Sequence, residues 1–351
     1  MIIKVKTDKK TKIVFNFNFK NIGKIAKNYS KLVLVIDANV YKLHKNKFKD
    51  AENLILIEGG EDNKTLEKSQ EIVNQLLKFG VDRKSLIIGI GGGVITDLVG
   101  FVSSIFKRGI SFGFIPTTVL CAVDSAIGGK NGVNNGTIKN CIGTINQPDF
   151  ILYDYSFYTS LSREEFANGF AEIIKYGCIC DKELFEYLES KSLEYFIKAP
   201  VAMQMIIQKS LHIKTKVILK DPNDNSIRKT LNFGHTIGHA IEKDLNLKHG
   251  YAISLGMVYA AQLSTSKLDL DVTSAGRISD LLVKYELPIE ANINVATVLE
   301  LISDDKKKTG QTLDFILLRE LGISEIVQIP IADIKKDFKK TLNETDSLSF
   351  A

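Results

Sequence analysis

Through roughly residue 155 the chain repeats one unit, a short aliphatic and β-branched run followed by a stretch with helical spacing. The strand candidates are KIVFNF (12–17), KLVLVID (31–37), NLILIE (53–58), SLIIGI (85–90), SFGFIP (111–116) and FILYD (150–154). Several are apolar almost throughout, the mark of strands covered on both faces. Between them, Leu66, Ile72, Val73, Leu76 and Leu77 recur near 3.6-residue spacing. Strand, helix and strand in alternation predict an α/β fold with a parallel sheet. After about Asp154 to Ser162 the periodicity turns helical: 162–197, 201–219, 235–245, 250–267 and 291–303, with VQIP (327–330) a rare strand-like run. The prediction is an α/β domain over 1–157 and a mostly α-helical domain over 158–351, with the ETDSLSFA tail fraying. A chain of 351 residues is long enough for two such cores.

Composition excludes several classes. The net charge is only +5 and the lysines are scattered, so no nucleic-acid-binding tail is present. No run reaches the ~18 apolar residues of a membrane span, and MIIKVKTDKK meets charge too early for a secretory signal. Cys121, Cys141, Cys178 and Cys180 form no disulfide framework, which fits a reducing, cytoplasmic setting. Cys178 and Cys180 are too closely spaced for a zinc knuckle and read as structural.

The segment SLIIGIGGGVITDLVG runs from a strand through Gly89, Gly91, Gly92 and Gly93 into a helix that buries Val94, Leu98, Phe101, Val102 and Ile105. Such a turn brings main-chain N–H groups to a phosphate or nucleotide, or it is a tight turn with no ligand. The GxGxxG spacing is absent. A second glycine turn, EGGEDNK (58–64), offers Glu61 to a ribose hydroxyl and Lys64 to an anion, or caps a solvated helix. Asp37, which ends the KLVLVID run, and Asn39 just after it are further candidate cofactor contacts.

Three of the five histidines, His235, His239 and His249, fall within LNFGHTIGHAIEKDLNLKHG. His235 and His239 share a helix face, and imidazoles in this density suit zinc. HTIGH lacks the glutamate of a HExxH protease motif. Glu172, in the apolar NGFAEIIKYG run, is the candidate third ligand, or else it forms an i,i+3 ion pair with Lys175. The stretch 115–143 gathers Thr117, Thr118, Asp124, Lys130, Lys139 and Asn140 among glycines, a set able to wrap a phosphate or carboxylate, and Arg108 adds a cation.

In order along the chain, GGE..K, GGGV..D..GF, RG, PTT.L..VDS..GGK.GVN, KN.IG, AE.IK.G, LN.GHT.GHA.E and HG.A...GM together resemble the 3-dehydroquinate synthase family of sugar-phosphate cyclases. The resemblance spans nearly the whole chain. It implies an N-terminal nucleotide-binding domain, a helical C-terminal domain and a homodimer. It implies Zn2+ or Co2+ on Glu172, His235 and His249, with His239 near the substrate in proton transfer. NAD would be held by Glu61, Lys64, Gly91 to Gly93, Asp97, Thr117 and Thr118, with Lys139 and Lys130 beside it. The substrate residues would be Asp124, Lys130, Asn140, Lys175, Lys214, Arg228 and Asn232. Arg108 would come from the partner subunit, and Lys306 or Lys307 would close over the substrate. Asp224 stands where the family has an acid–base glutamate. The implied reaction takes 3-deoxy-D-arabino-heptulosonate 7-phosphate through transient oxidation at C5, β-elimination of phosphate, re-reduction and intramolecular aldol closure.

Four positions depart from the family pattern: Tyr251 for glutamate, Asp224 for glutamate, Ile138 for glycine and Ala126 for serine. None removes an expected metal ligand or central lysine, and together they admit a sister cyclase acting on sedoheptulose 7-phosphate or glucose 6-phosphate; such cyclases diverge in the VDS..GGK.G segment that this chain keeps. Glycerol-dehydrogenase-like polyol dehydrogenases share the fold and the GGG turn, but the LNFGHT and VDSAIGGK segments argue against them.

Overall fold

The aliphatic runs pair side by side. Leu54–Ile57, Leu32–Asp37, Leu86–Gly91, Ser111–Pro116, Phe150–Leu152 and Lys10–Val14 form a parallel array in that order, and Ile2–Lys4 adds an antiparallel edge. The computed structural model describes residues 2–4, 10–136, 138–221, 224–304 and 312–343, so Lys306, Lys307 and the ETDSLSFA tail lie outside the described residues. Continuous burial explains the uninterrupted aliphatic text: Val33 to Ile36 and Leu86 to Ile88 are at most 1% exposed. The chain leaves Leu32–Asp37 for Leu54–Ile57 on one side, then returns to Leu86–Gly91 on the other. That reversal makes the carboxyl ends of these strands a switch point, where α/β sheets bind ligands. Helix Gly93–Ile105 follows the glycine turn and buries Leu98, Phe101 and Val102, whereas Ile105, its last residue, is exposed.

The chain packs as two compact units, Met1–Glu165 with Pro200–Leu219, and Phe166–Ala199 with Lys220–Ala351. In the first, Lys130–Asn135 and Ile138–Ile145 pair as an antiparallel hairpin from Lys130 opposite Ile145, with a register shift between Val133 and Asn135. The polar 115–143 text did not predict that hairpin. The second unit is largely helical. The region 162–197 is broken into Arg163–Cys180, Lys182–Glu189 and Leu193–Lys198, because Asp181 and Ser192 cap new helix starts. Helices His235–Leu245, His249–Leu268 and Val295–Asp304 match the expected spans closely. Val272–Lys284, Ile331–Asn343 and the hairpin Thr312–Glu320 with Ile323–Pro330 were not foreseen beyond VQIP. No helix among the described residues is long and apolar enough to cross a membrane.

Candidate active site

In the first unit, polar groups surround the switch point. A Cβ on Gly91 would lie 2.5 Å from Ile95 Cγ1 and 3.3 Å from Asp37 Cβ, so only glycine fits this approach. The following helix starts at Gly93 with no side-chain cap from Gly92, leaving main-chain donors for a ligand. Lys64, only 5% exposed, reaches Asp97 Oδ2 and Asn140 Oδ1, each at 2.5 Å. Burial lifts the Asp97 carboxyl to about 6 against the opposing pull of Lys64. Glu61 sits in the short turn Glu61–Asn63, and its Oε1 accepts from Asn134 Nδ2 at 2.8 Å. Thr117 hangs its backbone on Gly91 O at 3.0 Å, and its buried hydroxyl has no hydrogen-bond partner. Thr118 Oγ1 instead accepts from Cys121 N at 3.1 Å. An uncapped helix start, a waiting hydroxyl, a carboxylate and a cation are the donor and acceptor set that a dinucleotide needs.

Other predicted residues of this unit take mixed places. Asp37 caps helix Ala38–Leu43 through Asn39 N (2.8 Å) and Val40 N (3.3 Å), while Asn39 is exposed. Asp124 Oδ1 meets Lys214 Nζ at 2.5 Å, and the same ammonium donates to Asp124 O at 2.6 Å. Lys130 and Lys139 are exposed on the hairpin. Arg108 is exposed and holds a left-handed backbone (φ 66°) beside Lys107 (φ 48°).

The second unit brings Glu172, His235 and His249 together. Glu172 is fully buried in helix Arg163–Cys180, and its Oε1 lies 3.4 Å from both His235 Nε2 and His249 Nε2. A tetrahedral metal with ligand bonds of about 2.0–2.1 Å needs ligand–ligand edges of about 3.3 Å, so the set fits a divalent transition metal. Each imidazole is oriented by its other nitrogen. His235 Nδ1 lies 3.0 Å from the Phe233 carbonyl, and His249 Nδ1 lies 3.3 Å from Glu242 Oε2. Those partners place the Nδ1 protons and turn each Nε2 toward Glu172.

Lys175 pairs with Glu172 Oε2, so the carboxylate has both an ion-pair partner and a histidine-facing oxygen. Burial opposes Glu172's charge, but Lys175 and the histidines hold its carboxyl well below the usual range. Burial and then Lys175 push His235 well down, whereas Glu172 and Glu242 outweigh burial at His249 and lift it to about 9. His239 is exposed, with its ring 5.1 Å from that of His235 and 5.9 Å from that of His249. The two histidine helices touch main chain to main chain. Gly234, the left-handed N-cap (φ 78°), presents its carbonyl where any Cβ on Gly256 would fall.

Sequence reasoning gave no role to three residues that the structure places in supporting positions. Glu242 is seven positions from His235 on one helix, a spacing that places it on the same face. Asp221 accepts from Asn225 N (3.1 Å), Ser226 N (2.6 Å) and Arg228 N (3.1 Å). Burial notwithstanding, those N–H groups hold it near a pKa of about 2. It thereby fixes the loop carrying Asp224, with its left-handed backbone (φ 61°), and buried Arg228, while Asn232 is exposed. Asn134, the third, bridges Glu61 and Asn140. Asn134 closes the GGK.GVN segment and Glu242 the LN.GHT.GHA.E segment, so both stood in quoted motifs, but neither motif indicated what the residue holds.

Residues 54–168 match the N-terminal family model of 3-dehydroquinate synthase, and residues 169–308 match the C-terminal one. The chain is 37% identical over 336 residues to the 3-dehydroquinate synthase of Thermoanaerobacter pseudethanolicus, covering 92% of this chain and 94% of that protein. It also resembles the solved 2-epi-5-epi-valiolone synthase of Streptomyces hygroscopicus with NAD+ and Zn2+ bound. That match has a TM-score of 0.87 and 25% identity, over 98% of this chain and 99% of that one. A 2-deoxy-scyllo-inosose synthase solved with carbaglucose-6-phosphate, NAD+ and Co2+ shares the fold, with a TM-score of 0.85, 22% identity, and coverage of 97% and 99%.

Proposed function

The chain belongs to the 3-dehydroquinate synthase family of sugar-phosphate cyclases, and from that premise we propose that it converts 3-deoxy-D-arabino-heptulosonate 7-phosphate to 3-dehydroquinate and phosphate. The observation that carries the reading is Glu172 Oε1, 3.4 Å from two inward-facing imidazole nitrogens. Glu172, His235 and His249 would hold Zn2+ or Co2+, which when bound supplies Lewis-acid polarisation of the C4 and C5 oxygens. Glu61, Lys64, Gly91 to Gly93, Asp97, Thr117 and Thr118, with Asp37, Asn39, Lys130 and Lys139, would hold NAD, which when bound supplies a reversible hydride acceptor.

The chain's own residues would do the rest. Lys175 keeps Glu172 ionised, so it is ready to ligate without first losing a proton. Asp124, Lys130, Asn140, Lys214, Arg228 and Asn232 would hold the anionic and hydroxyl groups of the substrate. His239, exposed on the histidine helix, and Asp224, on the loop fixed by Asp221, would carry protons. The proposed working form is a homodimer in a cytoplasmic setting, with Arg108 offered outward to the partner subunit.

The test is to supply the seven-carbon substrate, catalytic NAD and Zn2+ or Co2+, then follow phosphate and carbocycle together. Stoichiometric phosphate and dehydroquinate without net NADH are expected, and EDTA or Glu172→Ala should abolish turnover. Tyr251, Ala126 and Ile138 favour a second reading, a sister cyclase, which predicts turnover of sedoheptulose 7-phosphate or glucose 6-phosphate instead. Steady NADH accumulation with simple polyols would refute both.

A further inference from the structure

Asn134 stands on the hairpin strand Lys130–Asn135, nine-tenths buried. Its side-chain nitrogen donates to Glu61 Oε1 at 2.8 Å, and its side-chain oxygen accepts from Asn140 N at 2.8 Å. Its own backbone N–H donates to Lys64 O at 2.7 Å. One residue therefore touches three candidate ligand-binding residues, drawn from two segments more than 70 positions apart in sequence. Lys64 closes the ring by reaching Asn140 Oδ1 at 2.5 Å.

The amide's orientation is fixed by its neighbours. Flipped, it would set oxygen against the Glu61 carboxylate and NH2 against the Asn140 N–H, two repulsive contacts in place of two hydrogen bonds. Asn140 adopts a left-handed backbone (φ 54°), a conformation that asparagine tolerates and that the Asn134 oxygen holds in place.

We infer that Asn134 is a positioning residue for the cofactor site: it aims the Glu61 carboxylate at the ligand while locking Asn140 and Lys64 in register with it. The inference rests on the cofactor reading above. Asn134 itself is not assigned a contact with the ligand. A carboxylate whose donor is already in place presents its remaining lone pairs in one direction. Without that donor it turns freely, and its contribution to binding is diluted by rotamer entropy.

The experiment is a double-variant cycle on NAD affinity, measured by isothermal titration calorimetry on the full, Zn2+-loaded chain. Asn134→Asp keeps the oxygen facing Asn140 but sets a second carboxylate against Glu61, and about a ten-fold or greater loss of NAD affinity is expected. In a Glu61→Gln background the same change meets a donor instead of a carboxylate, so its cost should fall to about two-fold. Asn134→Ala, which adds no charge, guards against misfolding of the aspartate variant; its loss should largely vanish in a Glu61→Ala background, where no acceptor is left to aim. Equal losses in both backgrounds, or no loss at all, overturn the inference while wild-type NAD binding stands. A wild-type chain that binds no NAD overturns the cofactor reading along with it.

Discussion

Replacing Lys175 with methionine removes the ammonium that lies against Glu172 and keeps most of the side chain's packing volume. The pair is dry: Lys175 is 2% exposed and Glu172 is 0% exposed. In the wild type, burial works against the Glu172 charge, but Lys175, His235 and His249 together outweigh it and pull the carboxyl well below its ordinary 4.5. A carboxyl depressed by folding adds stability above its unfolded pKa and loses it as pH falls through the folded one. Without the ammonium, the strongest of these opposing charges is gone and the histidines alone face the burial cost. Stranding one member of a buried pair costs about 3–5 kcal/mol, so the metal-free variant should lose about that much near neutral pH. Acidification should shrink the deficit, because a protonated Glu172 no longer needs the ammonium. Excess Zn2+ should shrink it too, since a divalent ion on Glu172, His235 and His249 restores the missing positive charge. The assay is urea unfolding followed by far-ultraviolet circular dichroism, run with EDTA and with Zn2+. A loss below about 1 kcal/mol in EDTA would refute the buried-pair argument. An identical loss with and without Zn2+ would refute the link between the pair and a metal.

Two further predictions concern the first unit. Asp97 is lifted from 3.8 to about 6, so folding takes up a proton there. The stability this group contributes is complete below its unfolded pKa and lost as pH rises through about 6. The wild-type advantage over Asp97→Asn should therefore fall by about 3 kcal/mol across that window in urea unfolding, and a flat difference would show that the carboxyl is not perturbed. Gly91→Ala drives a methyl to within 2.5 Å of Ile95. It should cost about 1–3 kcal/mol and weaken NAD binding, read from the same unfolding curves and from calorimetry.

The parallel sheet was legible because strands buried on both faces write their burial directly into sequence. LVLVID and LIIGIG contain little that could face water. The hairpin at 130–145 was not legible for the opposite reason. Its second strand is exposed along most of its length, so no apolar alternation marks it, and its asparagines and glycines read as loop. Helix Val272–Lys284 was hidden by Gly276 and by serines that dilute its apolar stripe. At the site, the histidines stood out because the chain has only five. Glu172 stood out as an acid in an apolar helix; one of its oxygens meets Lys175 and the other lies 3.4 Å from two imidazole nitrogens. Asn134, Glu242 and Asp221 act by holding other residues, and Asn134 does so between segments remote in sequence. That kind of role leaves no spacing for a one-dimensional reading to find.

The contact between Gly234 and Gly256 bears on how such a site can be inherited. Where two helices meet through side chains, every change of a neighbouring hydrophobic residue shifts their separation a little, and anything mounted on them drifts along. Here the helices bearing His235 and His249 abut through backbone, which has no rotamers to rearrange. The surrounding interior is therefore free to diverge widely while the two imidazoles keep their distance. Positions 234, 238 and 256 are the exceptions: a methyl on any of them meets the facing helix's backbone within 3 Å and would push the two imidazoles apart.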